Sequence, residues 1–373
     1  MKKHLARTTA LLLFAGMMAG TSSCTTAESA QEGKHPENII FLIGDGMGLS
    51  EVSATLYYGD GPSQFYRFNN IGMIRTSSAT HKVTDSAASG TAMSSGYKTY
   101  NGAIGMDTTQ TPRPHITDVV SALGWSTGVV ATASITHATP ASFYGNVVMR
   151  NMEEDIAAQL PGSEIDFFAG GGIGYFNARA DGQDLFPVLA GKGFTVDTTA
   201  LAAPGTLDPE KKYGFLLAGG GMPPMPAGRG DFLPRATALA IEHLSGNADG
   251  FFLMVEGSQI DWAGHANDNE YMITEMNDFN ATVKVALDFA EKDGHTLVVV
   301  CADHETGGFS LSAAHDENGM DNYAEIEPTY ATGGHSATLI PVFAYGPGSA
   351  KFRGIYENTE IFHKMAAAAK AGQ

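Results

Sequence analysis

Cysteine, tryptophan and positive charge are scarce in this chain. The 373 residues include two cysteines and two tryptophans, and 22 Lys and Arg side chains accompany 40 Asp and Glu, for a formal net charge of −18. Because like charges repel, so acidic a protein is not expected to bind nucleic acid. An anionic small-molecule substrate would need a local source of positive charge, and bound metal ions are one such source.

The two cysteines do not predict a disulfide bond. Cys301 lies within the apolar run 296–302 and is expected to be a small buried strand residue. Cys24 follows an apolar stretch and a few small residues, and in that place it resembles the lipid-modified cysteine of bacterial lipoproteins. Ordinary signal cleavage near this position is the alternative.

The amino-terminal residues are typical of an export signal. Three basic residues among the first seven precede the apolar residues 10–19, a stretch too short to span a membrane. We therefore expect residues 1–24 to be a signal peptide and residues 25–37 to be a flexible tether. Residues 38–373 are predicted to form a single domain of an exported, periplasmic protein, which is anchored to a membrane if Cys24 is lipidated.

Four apolar runs are each followed by side chains that can bind a metal ion. The runs cover residues 38–43, 124–133, 251–255 and 296–302. Continuous apolar runs favour parallel strands that are buried on both faces. The polar residues that follow them are, in chain order, Asp45; Thr136, His137 and Thr139; Glu256, Asp261 and His265; and Asp303 and His304. Since the carboxyl ends of parallel strands meet at one edge, the sequence predicts an α/β fold whose central, mostly parallel sheet is sandwiched by helices.

Residues 81–93 place one serine, Ser86, between a short polar run and a row of small residues. Thr84 and Asp85 are favourable N-cap residues, and the alanines after them favour a helix. Ser86 is therefore predicted at a helix N-terminus, where free N–H groups and the helix dipole attract an anion such as phosphate. Tight helix packing is the alternative explanation for so many small residues.

The types of donor indicate which metals a site at this edge would take. Mixed Asp and His ligands suit Zn²⁺, whereas a set of Asp, Thr and Glu oxygens suits Mg²⁺. Asp261 and His265 lie one turn apart if their segment is helical, and His335 adds a donor before a fifth apolar run. Two metals about 4 Å apart promote in-line displacement at phosphorus, so phosphoryl transfer is the reaction indicated.

Six short motifs, occurring in order between residues 38 and 348, resemble those of the alkaline phosphatases. They cover residues 44–48, 84–90, 136–141, 256–265, 303–308 and 334–335. Each motif is short, but six of them in the same order form a specific signal. The resemblance implies an alkaline-phosphatase-like fold and the hydrolysis of small phosphate monoesters through a phosphoserine intermediate.

The resemblance also implies a role for each candidate residue. Ser86 corresponds to the nucleophile, and Arg150 corresponds to the arginine that clamps the phosphate oxygens. The ligands implied for the first zinc ion are Asp261, His265 and His335; those for the second are Asp45, Asp303 and His304; and those for a third ion are Asp45, Thr139 and Glu256. The third ion is expected to be Mg²⁺, but His137 stands where some relatives have an aspartate, and its imidazole favours Zn²⁺ or Co²⁺.

Two other functions compete with this interpretation. A phosphodiesterase of the same superfamily would share the metal-binding core, although Thr139, Glu256 and Arg150 favour a monoesterase. A binding protein without activity would have lost the nucleophile or a ligand, and every such position is filled. The short segment between Gly308 and Gly333 lacks an insertion that supplies dimer contacts in some relatives, so the sequence leaves open whether the protein is a monomer or a homodimer.

Overall fold

A ten-stranded β-sheet lies at the centre of residues 35–370, the part of the chain that the computed structural model describes. The strands of this part are β1 (Asn38–Gly44), β2 (Asn70–Arg75), β3 (Ser126–Ser134), β4 (Phe167–Gly171), β5 (Phe194–Asp197), β6 (Lys212–Leu216), β7 (Phe251–Gly257), β8 (Thr296–Cys301), β9 (Glu305–Thr306), β10 (Ser310–His315), β11 (Asp321–Thr329), β12 (His335–Ser336), β13 (Ile340–Tyr345) and β14 (Gly354–Glu357). The large sheet has the order β14-β2-β13-β8-β1-β7-β3-β4-β6-β5. The predicted signal peptide, including Cys24, lies outside the described residues.

The directions of the strands confirm the mostly parallel sheet that the sequence predicts. β13 runs antiparallel to β2 and β8, and the other pairings in the large sheet are parallel. The three central strands β8, β1 and β7 are buried along their whole length. Burial of both faces beneath helices explains why these strands have continuous rather than alternating apolar sequences.

The central strands end level with one another. Gly44 of β1 lies opposite Gly257 of β7, and Ile43 of β1 lies opposite Cys301 of β8. β3 lies on the other side of β7 and runs parallel to it. The polar residues that follow these four strands therefore emerge at one edge of the sheet, where α/β proteins place their ligands.

Helices pack around the sheet and complete the predicted sandwich. In the described part they are α1 (Leu49–Tyr57), α2 (Ser86–Ser95), α3 (Ile116–Ser121), α4 (Ala138–Ala141), α5 (Glu153–Gln159), α6 (Gly174–Asn177), α7 (Phe186–Gly191), α8 (Phe232–Leu244), α9 (Gln259–Ala266), α10 (Asn269–Asp293) and α11 (Thr359–Lys370). Short 3₁₀ turns occupy Gln64–Arg67, Leu160–Gly162, Met225–Ala227 and Ser349–Phe352. Among the helices of residues 35–370, none has the length and apolar character needed to cross a membrane.

Two small antiparallel sheets, which the sequence did not predict, lie outside the large one. β10 and β11 form a hairpin, and β9 pairs with β12 over two residues, with His335 opposite Thr306. The chain between β9 and β12 is closed at its base, where the N–H of Gly307 donates to the carbonyl of Gly334 at 3.0 Å. The pairing of β9 with β12 brings His335 next to the segment that follows β8.

Candidate metal centre and nucleophile

Ser86 is the first residue of α2, in the position that the sequence predicts. Asp85 is the N-cap, and its Oδ1 accepts a hydrogen bond from the N–H of Ala88 at 3.0 Å. Every residue of α2 is buried, and Ser86 itself is 2% exposed. The small residues do pack tightly, and the same packing holds the serine at the positive end of the helix.

The hydroxyl of Ser86 faces a buried imidazole. Its Oγ lies 3.3 Å from Nε2 of His304, which follows β8. The same nitrogen lies 3.2 Å from Oδ2 of Asp303 and 3.5 Å from Oδ1 of Asp45. A serine oxygen, an imidazole nitrogen and two carboxylates therefore converge in a buried space.

The carboxylates of this group lack the partners that buried charges normally have. Neither oxygen of Asp45 makes a hydrogen bond, and Oδ2 of Asp303 makes none. A buried carboxylate without a partner is costly, and a coordinated cation removes that cost. Ligand atoms of Asp45, Asp303 and His304 lie within 4.8 Å of one another, so the three residues fit a single metal ion.

The titration of these groups is dominated by burial and by the other charges of the site. Burial, together with the charges of Asp303 and Asp261, raises the pKa of Asp45 well above its ordinary value. Burial also raises the pKa of Asp303. Burial, followed by the nearby His335, lowers the pKa of His304 to about 3, so its imidazole is neutral and can bind a metal.

A second group of ligands adjoins the first. Nε2 of His265 and Nε2 of His335 lie 3.4 Å and 3.5 Å from Oδ1 of Asp261, and the two nitrogens are 3.2 Å apart. The predicted helical spacing of Asp261 and His265 is confirmed, since both lie in α9. The ring of His335 stacks on that of His304 with centroids 3.6 Å apart, so the two groups are neighbours.

Backbone carbonyls orient the histidines of this second group. Nδ1 of His265 lies 2.7 Å from the carbonyl of Gly333, and Nδ1 of His335 lies 2.9 Å from the carbonyl of Thr84. A carbonyl only accepts hydrogen bonds, so each Nδ1 carries the proton and each Nε2 keeps its lone pair for the site. Such outer contacts are typical of metal-binding histidines.

Thr306 lies between the two groups of ligands, and the sequence analysis did not single it out. Its hydroxyl donates to Oδ1 of Asp261 at 2.5 Å and lies 3.2 Å from Nδ1 of His304. It therefore contacts one ligand from each of the two groups. Its place two residues after His304, within the motif at 303–308, was the available signal.

The third group lies on the other side of Asp45. Ligand atoms of Asp45, His137 and Glu256 lie within 4.8 Å of one another. Oε1 of Glu256, Oγ1 of Thr139 and Nδ1 of His137 are buried without a hydrogen bond. Burial raises the pKa of Glu256 to about 8, against the lowering effect of the Ser258 and Thr139 hydroxyls. This set of donors also fits a cation, which Asp45 would share with the group at His304.

Arg150 lies between the helix of Ser86 and this third group. Its Nη1 lies 3.3 Å from Oδ2 of Asp85, and its Nη2 lies 3.1 Å from Nε2 of His137. Oδ2 of Asp85 also accepts from the N–H of Gly102 at 3.0 Å. Asp85, which the sequence analysis treated only as a helix cap, therefore also holds the guanidinium near Ser86. The arrangement can bind a phosphate dianion among a helix N-terminus, an arginine and bound cations.

Comparisons with known protein families agree with this geometry. The family model described as alkaline phosphatase matches residues 36–325 and 312–371. Alkaline phosphatase 3 of Bacillus subtilis is 33% identical over 94% of this chain and 93% of its own length. Alkaline phosphatase of Escherichia coli is 31% identical over 94% of this chain and 89% of its own length.

Solved structures give the same result. Alkaline phosphatase from the Antarctic bacterium TAB5 is 53% identical to this chain, covers 90% of it and 98% of its own chain, and superposes with a TM-score of 0.89. A variant of that enzyme, in which a histidine is replaced by aspartate, is described with Mg bound in its M3 site.

We expect Asp85→Asn to weaken the binding of inorganic phosphate. The asparagine keeps an oxygen for the cap but loses the charge that faces Arg150. A charge-assisted hydrogen bond contributes roughly 1.5–3 kcal/mol. Because only part of this energy is used to position Arg150 for phosphate, the inhibition constant for phosphate should rise about 3- to 30-fold. The control is Asp181→Asn, which removes the partner of Arg179 elsewhere. Equal inhibition constants in Asp85→Asn and the unmodified enzyme would show that Asp85 does not position Arg150.

Proposed function

Because this chain belongs to the alkaline phosphatase family and hydrolyses phosphate monoesters, we propose that Ser86 is the residue that receives the phosphoryl group. The observation that carries the proposal is the position of its hydroxyl, 3.3 Å from Nε2 of His304 at the N-terminus of α2. A buried serine there faces ligand-type side chains, free helix N–H groups and the guanidinium of Arg150. The related phosphodiesterase, weighed as an alternative from the sequence, is not favoured by the comparisons.

The three groups of ligands are proposed to hold three metal ions. Zn²⁺ suits the group of Asp261, His265 and His335, and it suits the group of Asp45, Asp303 and His304. The unpartnered buried oxygens of Asp45 and Asp303 support this assignment. When bound, the ions supply positive charge that favours an ionised serine and a departing alkoxide.

In the proposed reaction, each of these side chains has a separate role. The Ser86 oxygen forms a bond to phosphorus as the bond from phosphorus to the ester oxygen breaks. The proton of the Ser86 hydroxyl passes to solvent, and the departing alkoxide takes up a proton from solvent and leaves as the alcohol. Arg150 donates to the nonbridging phosphate oxygens while Asp85 holds its guanidinium in place. In the second half, a water oxygen attacks phosphorus as the bond from phosphorus to Oγ of Ser86 breaks. One proton of the water restores the Ser86 hydroxyl, and inorganic phosphate leaves. His304 acts as a ligand in this scheme and not as a general base for Ser86.

Replacing Ser86 by alanine tests the nucleophile directly. We expect Ser86→Ala to form no phosphoenzyme and to lose nearly all turnover of a phosphate monoester, since the attacking oxygen is gone while the ligands remain. Acid-quenched labelling with a radioactive monoester measures the phosphoenzyme, and metal analysis of the same sample checks that the ions are retained. Ser94→Ala, at a buried serine of α2 whose hydroxyl donates to the carbonyl of Thr91 in the same helix, is the control. Full activity in metal-loaded Ser86→Ala would rule out the assigned role.

We propose that His137 determines which metal ion binds to the third group of ligands. An imidazole beside Asp45, Thr139 and Glu256 favours Zn²⁺ or Co²⁺, whereas oxygen ligands alone favour Mg²⁺. The variant of the TAB5 enzyme with aspartate in place of a histidine, described with Mg in its M3 site, supports the same rule for this chain.

We therefore expect His137→Asp to change the metal content of the enzyme. The variant is equilibrated with equal concentrations of free Zn²⁺ and Mg²⁺. It should then contain about one zinc ion fewer and one magnesium ion more per chain, as measured by inductively coupled plasma mass spectrometry. His295→Asp, at a partly exposed histidine outside the three groups, should leave both counts unchanged. An unchanged zinc and magnesium content in His137→Asp would contradict the proposal.

Export and anchoring are proposed from the sequence alone. Residues 1–24 carry the features of a signal peptide, and residues 38–373 are proposed to form one catalytic domain behind a tether over residues 25–37. A lipid on Cys24 would anchor this domain at a membrane surface.

Partition between detergent and water tests the anchor. We expect the unmodified protein to enter the detergent phase and Cys24→Ala to remain in the aqueous phase, because the lipid needs the thiol. Cys301→Ala, at the buried cysteine, is the control and should partition like the unmodified protein. Recovery of the unmodified protein in the aqueous phase alone would contradict lipidation.

A further inference from the structure

Another pair of buried carboxylates lies outside the three groups of ligands. Glu51 is in α1, shortly after the turn that carries Asp45, and Glu305 is in β9, directly after His304. Glu51 is fully buried, and Glu305 is 5% exposed. The reaction described above uses neither side chain.

The two carboxylates approach each other across Gly48. A Cβ atom at this position would lie 2.6 Å from Cγ of Glu305 and 2.9 Å from Oε2 of Glu51, which is closer than nonbonded atoms tolerate. The absence of a side chain at Gly48 therefore allows both glutamates to occupy one small space.

The side-chain hydrogen bonds found for the pair all reach Glu305. Oε1 of Glu305 accepts from the N–H of Phe309 at 3.0 Å, and its Oε2 accepts from the hydroxyl of Ser336. Both donors are neutral. Glu51 makes no hydrogen bond through either of its oxygens. Burial and the charge of Glu305 both raise the pKa of Glu51, as expected for a carboxylate that lacks a counter-charge.

A cavity at the protein surface adjoins this pair. A surface cavity of about 460 Å³ is lined by Glu51, Glu305, Ser336 and Thr338, among others. Leu49, Met73 and Leu339 form part of its apolar wall. The oxygen donors on its polar side are carboxylates and hydroxyls, which hard cations such as Ca²⁺ and Mg²⁺ prefer to nitrogen.

We propose that Glu51 and Glu305 together bind one hard divalent cation, Ca²⁺ or Mg²⁺, in addition to the ions of the catalytic centre. The inference stands on an unpartnered, fully buried carboxylate that lies close to a second carboxylate beside a surface cavity. It does not depend on the identity of the nucleophile or on the reaction at Ser86.

The cation would join three segments that carry catalytic ligands. Glu51 is linked through α1 to Asp45, Glu305 follows His304, and Ser336, which donates to Glu305, follows His335. Each of these neighbours belongs to one of the zinc groups. Occupation of the site would therefore stabilise the arrangement of segments that those groups need.

The test uses the zinc-loaded enzyme, dialysed against metal-free buffer and then against CaCl₂ or MgCl₂ in separate arms. Bound calcium or magnesium and the melting temperature are measured for the unmodified chain, Glu51→Gln, Glu256→Gln and Glu317→Gln. We expect Glu51→Gln to bind about one Ca²⁺ or Mg²⁺ fewer per chain and to lose the rise in melting temperature that the ion produces. Glu317→Gln, which removes an exposed carboxylate, should behave like the unmodified chain.

Glu256→Gln separates the proposed site from the third catalytic site. It should still bind one Ca²⁺ or Mg²⁺ with the accompanying rise in melting temperature, because Glu51 and Glu305 are intact. Equal ion binding by Glu51→Gln and the unmodified chain would overturn the proposal, and the two glutamates would then share a proton instead. If Glu51→Gln does not fold, Glu305→Gln is measured in its place: the loss of about one bound Ca²⁺ or Mg²⁺ per chain supports the site, and unchanged ion binding overturns it.

Discussion

The catalytic centre depends on one constraint: buried carboxylates at the carboxyl ends of β1, β7 and β8 need positive charge beside them. Asp45, Glu256 and Asp303 are all fully buried, and each retains at least one oxygen without a hydrogen-bond partner. No packing of apolar side chains can compensate such charges. Divalent cations can, and in the proposed assignment the imidazoles beside the carboxylates would complete their coordination. Asp45 matters most, because it faces two of the three groups of ligands.

The same constraint explains how an acidic protein binds an acidic substrate. The formal net charge of the chain is −18, which would repel a phosphate dianion at long range. Three divalent ions would more than offset the four carboxylates that hold them, and Arg150 adds a further positive charge. The local field at Ser86 is then the reverse of the field of the whole protein. Catalysis and metal binding are thus parts of a single electrostatic arrangement.

Sequence reasoning located the site better than it located the contacts within it. The apolar runs and the helix cap at Asp85 are local features, so the central strands and the start of α2 could be placed from them. The long-range contacts were not visible in the same way. The pairing of Thr306 with His335, the contact of Asp85 with Arg150 and the closeness of Glu51 to Glu305 each join segments that are distant in sequence. Such contacts depend on the packing of the whole chain, which local patterns do not encode.

The hydrogen bonds that close the base of the segment between β9 and β12 determine how much the rest of that segment can vary. His335 is held at its place by a two-residue ladder and by the hydrogen bond from Gly307 to Gly334, and not by the β10–β11 hairpin beyond them. The entropic cost of a longer loop grows only slowly with its length. Insertions and deletions can therefore accumulate in the hairpin while the ligand stays in register. A change in the length of this hairpin should therefore leave the position of His335 and the chemistry beneath it unaltered.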